Sequence, residues 1–218
     1  KKILEIRKRK KIPIMVGGTG LYFKALTEGL VKIPNIPDKY RDQVRSLHKK
    51  IGPRKFYSKL IKLDPLIKKK LNPTDSQRVM RAFEIKSFTK RSMYEWFKNT
   101  KSNYEKKDFY KIYIDYPRDE LIKQISFRTS QMIDEGAILE AKKFLKLKVP
   151  KNKTASKAIG LNEISEFLNK KIQISELIEK ISIKTRQYAK RQMTWGRGHM
   201  SDWNKIKSKS LNQFLKKI

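Results

Sequence analysis

The apolar positions fall into a few clear periods. Ile12-Pro-Ile-Met-Val16 is a short apolar run closed by Gly17-Gly18-Thr19-Gly20, the pattern of a buried strand entering a tight turn. Leu21 to Leu30 follows as a helix with Gly29 near its end. Lys111-Ile-Tyr-Ile-Asp-Tyr116 is the other convincing strand. Residues 31–100 read as short helices punctuated by Pro34, Pro37, Gly52-Pro53, Asp64-Pro65 and Asn72-Pro73. A helix starts near Asp119 and breaks at Gly136. A loop over 148–157 leads into Ala158-Ile159-Gly160-Leu161. A long helix runs from about Ser175 to Trp195, where Gly196 predicts a frayed last turn. The Lys- and Ser-rich tail from Lys205 reads as loosely held.

Strand, turn and helix in this order are the grammar of a parallel α/β sheet. Two strands do not make such a sheet with both faces covered. The pattern therefore predicts further strands before Lys1, so the chain reads as a fragment.

Within the helices, certain polar residues stand at ordered intervals. Leu121, Ile125, Arg128 and Met132 form one stripe, which turns Arg128 toward an apolar face. A guanidinium there needs an anion, an internal acid or a way out to water. On the long helix, Arg186, Lys190, Thr194 and Arg197 share one face. Ile178, Ile181, Tyr188 and Trp195 share the other, with Gln187 and Arg191 at the border. A cationic stripe of this kind is either a solvated surface or a set of phosphate and base-edge contacts. In Asp75-Ser-Gln-Arg-Val-Met-Arg81, Asp75 or Ser76 caps a helix that places Gln77, Arg78 and Arg81 together, with Val79 and Phe83 inside.

Charge sharpens this picture. The 218 residues carry 54 Lys and Arg against 21 Asp and Glu, a net +33 that favours a polyanionic partner. Coding drift toward Lys accounts for part of the excess but not for the shortage of acids. Cysteine is absent, which excludes disulfides, thiol nucleophiles and Cys-ligated metals. Two histidines, His48 and His199, exclude a His-rich metal site. No apolar run approaches the ~18 residues of a membrane helix, and no signal-peptide pattern opens the sequence. These features predict a soluble, cytoplasmic protein. No G-x-x-x-x-G-K-[ST] phosphate loop occurs.

Taken together the motifs become specific. Val16-Gly-Gly-Thr-Gly-Leu-Tyr22 resembles the VGGT-x-LY segment of tRNA dimethylallyltransferases, also called tRNA isopentenyltransferases. The later motifs follow in the same order: Asp75 to Arg81, Arg128 before Gln131-Met132, Ala158-Ile159-Gly160, and Thr185-Arg-Gln-Tyr-Ala-Lys-Arg-Gln-Met-Thr-Trp195. The resemblance runs from about Ile12 to Arg197.

The resemblance implies a P-loop nucleotide-kinase-like α/β core with a parallel sheet, incomplete here, and a helical insertion domain. Core would occupy 1–30, insertion 31–104, and the return strand with C-terminal tRNA-binding helices 105–218. It implies transfer of a dimethylallyl group from dimethylallyl diphosphate to the exocyclic amine of the adenosine beside the tRNA anticodon, with Mg²⁺ as cofactor. The partners would be the tRNA anticodon stem-loop and dimethylallyl diphosphate, with no membrane, and the enzyme would act as a monomer. In the family the phosphate loop and the general base precede the VGGT segment, so this fragment is expected to be inactive alone. Thr19 would lie by the reacting adenine and Arg128 on the diphosphate leaving group. Arg41, Gln77, Arg78, Arg81, Lys190, Arg191 and Arg197 would contact tRNA. So would the loop from Lys157 through Gly160 to Asn162. A non-catalytic RNA-binding module and a P-loop kinase fragment remain the rival readings.

Overall fold

The computed structural model describes residues 1–150 and 153–216. Lys151 and Asn152 of the expected 148–157 loop, and Lys217 and Ile218 of the tail, lie outside them. The chain divides into two compact units, Lys1–Gly20 with Tyr110–Ile218, and Leu21–Phe109. No described helix is long and apolar enough to cross a membrane.

The first unit contains α1 (Lys2–Lys8), β1 (Ile112–Asp115), α6 (Arg118–Asp134), α7 (Ala137–Lys146), α8 (Leu161–Leu168), α9 (Ile174–His199), β2 (Asn204–Lys207) and α10 (Leu211–Leu215). The second contains α2 (Gly20–Thr27, from Leu21 on), α3 (Asp38–Leu63), α4 (Ser76–Thr89) and α5 (Met93–Lys98). The described residues are therefore mostly helical, with one parallel sheet of two strands.

That sheet departs from the sequence expectation at both ends. Ile12 to Val16 forms no strand. Ile12, Ile14 and Val16 are 75%, 77% and 90% exposed, and no described strand pairs with the segment. An apolar run becomes a strand only when a neighbour accepts its backbone hydrogen bonds. Conversely, residues 204–207 of the tail are not loose. Asn204 to Lys207 pairs in parallel with Ile112 to Asp115, and Ile206 turns inward between two lysines that turn out. Asn204 reinforces the start of the ladder, donating its backbone N–H (3.0 Å) and side-chain amide (3.2 Å) to the Lys111 carbonyl.

Helix α9 does not fray at Gly196. It runs on to His199, and the Met200 N–H closes it onto the Gly196 carbonyl at 2.8 Å. Gly196 is buried because the Tyr113 ring of β1 occupies the space a side chain would take. A Cβ there would meet the ring at 2.6 Å. Gly196→Leu is expected to destabilise the protein by about 1–3 kcal/mol through overpacking. Pairing it with Tyr113→Ala recovers part of the loss, a coupling of about 0.5–3 kcal/mol that a double-mutant cycle in urea measures. Strict additivity would contradict the packing.

Behind α9, Ala141, Ile164, Leu177 and Ile181 form the core that joins α7, α8 and α9. Gly136 and Gly160 adopt φ of +104° and +103°, starting α7 and α8 from a backbone region that favours glycine. The Lys180 ammonium also donates to Glu166 at 2.8 Å, and this hydrogen bond holds the Glu166 carboxyl below the usual carboxylate range. The pair's small, solvent-screened contribution is present at neutral pH and is lost as pH falls through the lowered carboxyl pKa.

The second unit has its own core of Ile36, Phe56, Leu60, Ile67, Val79, Phe83 and Ile85 with their neighbours. Helix α3 bends at Gly52 (φ +78°), followed by Pro53, which folds its second half back under α4. Asp75 caps α4, accepting from the Arg78 N–H at 3.1 Å.

Candidate nucleic-acid and leaving-group site

The glycine-rich turn owes its composition to α9. A Cβ on Gly18 would overlap the Gln192 side-chain amide, and one on Gly20 would overlap the Trp195 ring. Thr19 between them is exposed and directly precedes α2. The turn is thus seated on the C-terminal half of α9, with Thr19 presented to solvent. Trp195 in turn stacks on His199, ring centroids 4.4 Å apart and planes 7° from parallel.

The other face of α9 meets α6 around a cavity of about 360 Å³. Leu121, Ile122, Ile125, Ile183 and Met193 give it an apolar lining, and Arg118, Arg186, Lys190 and Arg197 also contribute to its walls. Among the described residues no carboxylate lines it, and none of the four cations forms an ion pair. Of the stripe, Lys190, Thr194 and Arg197 are exposed and Arg186 is half-buried, and all four border this cleft. Unpaired cations beside low-dielectric walls attract anions more strongly than the same charges in open water. Arg118 was not legible as a site residue. It follows Pro117 at the first position of α6, where a cation opposes the helix dipole. Its signal was its spacing to Ile122 and Ile125.

Arg128 is not turned into the buried face. The inward residues of α6 are Ile125 and Thr129, with Leu121 and Ile122 half-buried, whereas Arg128 is exposed and Met132 is 39% exposed. At 100° per residue Arg128 stands on the margin beside Leu121. Among the described residues no hydrogen bond or ion pair engages its guanidinium. Tyr188 likewise is not core: it is 41% exposed, with the Arg191 guanidinium 5.8 Å from its ring centroid.

Further along the first unit, Lys157 and Asn162 are exposed and flank the buried Gly160. The Gly160 N–H donates to the Glu163 carboxylate at 3.0 Å, and its carbonyl accepts from Ile164 at 2.8 Å. Lys184 pairs with the same buried Glu163. Gly160 thus shapes the turn, and its neighbours carry the polar surface.

In the second unit, Gln77 and Arg78 are exposed on α4, and Arg78 stands 3.4 Å from its cap, Asp75. Arg81 is half-buried and bound to the buried Glu84 at 3.0 Å. Arg41 is partly engaged by Asp38 at 3.5 Å. Of the four, Gln77 is thus held by no charged neighbour. Tyr94 in this unit donates to the Lys70 carbonyl at 2.9 Å, and burial pushes its hydroxyl pKa up.

Among the described residues no group of three or more His, Asp or Glu could hold a metal ion.

Comparison with known proteins agrees with this geometry. The IPP transferase family pattern matches residues 1–199. A tRNA dimethylallyltransferase of Pelagibacter ubique is 54% identical over all 218 residues, which span 70% of its length. One from Rickettsia massiliae is 41% identical over 203 residues, covering 92% of this chain and 56% of that protein. The crystal structure of a tRNA isopentenylpyrophosphate transferase from Bacillus halodurans superposes with a TM-score of 0.55 at 31% identity, covering 94% of this chain and 63% of its own. A eukaryotic dimethylallyltransferase captured acting on tRNA gives 0.73 at 28% identity, covering 98% of this chain and 55% of its own. The match over nearly the whole chain, together with the turn, α6 and α9 that carry its motifs, places this protein in the tRNA dimethylallyltransferase (IPP transferase) family.

Proposed function

We propose that this chain supplies the RNA grip and the leaving-group cation of an enzyme that prenylates tRNA. The reaction is transfer of a dimethylallyl group from dimethylallyl diphosphate to the exocyclic amine of the adenosine next to the anticodon. The observation that carries this reading is the unpaired cationic set on α6 and α9, on the same helix that seats the Gly17–Gly20 turn. The core is read as the partial sheet of a P-loop kinase-like fold.

The chemistry sets what these residues do. The amine nitrogen forms a bond to the allylic carbon while the carbon–oxygen bond to diphosphate breaks. Negative charge accumulates on the departing diphosphate, and a fixed guanidinium lowers the barrier most where that charge develops. Arg128, exposed and free of any acid, suits that role. Thr19, held at the tip of a turn that packing on α9 makes rigid, suits a contact to the adenine. Neither accepts the proton that the amine releases; that proton goes to a general base, which the family resemblance puts before the VGGT segment. No metal-dependent step is assigned to the described residues. Lys190, Arg191 and Arg197 on α9, Lys157 and Asn162 around Gly160, and Arg41, Gln77, Arg78 and Arg81 in the second unit are read as tRNA contacts. Loop recognition fits the requirement that the target base leave its stack.

The RNA grip is tested by salt. Replacing Lys190 and Arg197 together by alanine is expected to weaken binding of a tRNA anticodon stem-loop. It should flatten the log–log salt dependence by about 0.9 per lost phosphate contact. A double variant that keeps the parental slope would make the stripe an ordinary solvated surface.

A further inference from the structure

A second cavity, about 410 Å³, opens between α6 and the N-terminal half of α9, and the functional reading above does not use it. Its lining includes Phe127, Ser130, Glu179, Ser182 and Arg186. Ser182 is 4% exposed, and its hydroxyl oxygen is buried without a hydrogen-bond partner. Its neighbours show how unusual this is. Thr129 and Thr185 return their hydroxyls to the carbonyls four residues back, each at 2.8 Å. Ser182 has the same helical option and does not take it. A buried hydroxyl left unsatisfied costs stability unless something else binds it.

The other walls indicate the chemistry of a ligand. Phe127 is 72% exposed, so an aromatic face stands open to solvent. Among the described residues Arg186 forms no ion pair and can donate to an anion. Glu179 forms none either and accepts only, so it suits a hydroxyl or amine rather than a second phosphate. A simple anion would meet the glutamate unfavourably, and a cation would find a single carboxylate next to an arginine. A lipid tail would bury the unsatisfied hydroxyl deeper. A planar base with a sugar and one phosphate satisfies all of these groups, and the volume lies in the ordinary range of small-ligand cavities, about 300–1,000 Å³.

We propose that this cavity seats one nucleotide unit, with its base on Phe127, its phosphate on Arg186, and its hydroxyl or amine donors on Glu179 and Ser182. The inference rests on the reading of this chain as an RNA binder; Arg186 belongs to both cavities, and Phe127, Glu179 and Ser182 are the contacts it adds. The nucleotide can belong to an RNA strand or be free, and the two sources share this chemistry.

The test uses the 218-residue chain with a fluorescent oligoadenylate of about eight nucleotides, the same length of abasic ribose-phosphate, AMP, and a tRNA anticodon stem-loop. Phe127→Leu is expected to weaken oligoadenylate binding about tenfold and leave the abasic strand unaffected. Ser182→Ala should weaken oligoadenylate severalfold without lowering the urea midpoint. Phe127 is exposed, so its loss does not threaten folding. AMP displacing the oligomer in the parent but not in Phe127→Leu would support the site and assign it to free nucleotides. Displacement only by strands would support it and assign it to RNA. If both variants hold oligoadenylate as the parent does while the stem-loop is still bound, the cavity proposal is wrong and the RNA-binding reading stands. If the parent holds neither RNA, both are wrong.

Discussion

Arg128→Ala, introduced into this chain joined to the remainder of the Pelagibacter relative's sequence, is expected to lower the rate of prenyl transfer by about 10²–10³-fold. Affinity for the tRNA stem-loop should change little, because Arg128 stands on the margin of α6 away from the α9 stripe. The effect is electrostatic. The charge that grows on the departing diphosphate is larger in the transition state than in the bound substrate, so a cation aimed at it acts mainly on the rate. Arg128→Lys should recover only part of the loss, since an ammonium keeps the charge but not the two-pronged geometry that matches phosphate oxygens. Equal loss of tRNA binding with unchanged single-turnover rate would place Arg128 in the RNA grip instead.

The second large effect concerns stability. Phe56→Ala is expected to destabilise the second unit by about 3–5 kcal/mol. Phe56 has no exposed surface and packs its ring 4.9 Å from Phe83 and 5.0 Å from His48, centroid to centroid. Phe83 belongs to α4, the helix that carries Gln77, Arg78 and Arg81. A cavity at Phe56 therefore loosens the platform of that cationic cluster, and limited proteolysis within Leu21–Phe109 should quicken. Phe97→Ala, where the ring is 43% exposed, serves as the control and should cost far less. Comparable losses from both would mean that the two rings are equally load-carrying and that the α3–α4 core is not the stabilising element.

The contrast between these two phenylalanines also shows what periodicity conveys. Val79 and Phe83 were readable as the inner face of α4, and Ile125 and Ile181 as inner positions of α6 and α9, because one side of each helix is apolar over several turns. β1 was readable from its compact apolar run. β2 was not, since Ile206 is a single apolar residue among lysines, and a strand of four residues needs only one inward side chain. The segment at 12–16 failed in the opposite sense: its composition suits a strand, but a strand is defined by its partner and the described residues offer none.

The candidate site divides in the same way. The turn, the α9 stripe and the Asp75 cap are local patterns and were legible. Pairing was partly legible as well: Arg81 has Glu84 three residues on in the same helix, whereas no acid stands three or four residues from Arg128. Arg128 also shows the limit of a stripe drawn through four positions: Ile125 and Thr129 fix the inward direction, which moves position 128 to the edge. The close approach that excludes side chains at Gly18, Gly20 and Gly196 depends on Gln192, Trp195 and Tyr113, residues that lie far from those glycines in the chain.

Whether these helices serve prenyl transfer to an anticodon-loop adenosine is decided by incubating tRNA and labelled dimethylallyl diphosphate, in buffer containing Mg²⁺, with this chain joined to the remainder of the Pelagibacter relative's sequence, and then mapping the label by nuclease digestion. Label is expected on a single adenosine beside the anticodon, strongly reduced by Arg128→Ala. A completed protein that binds the tRNA with its full salt dependence yet leaves every adenosine unlabelled would contradict that expectation and favour a non-catalytic RNA-binding role.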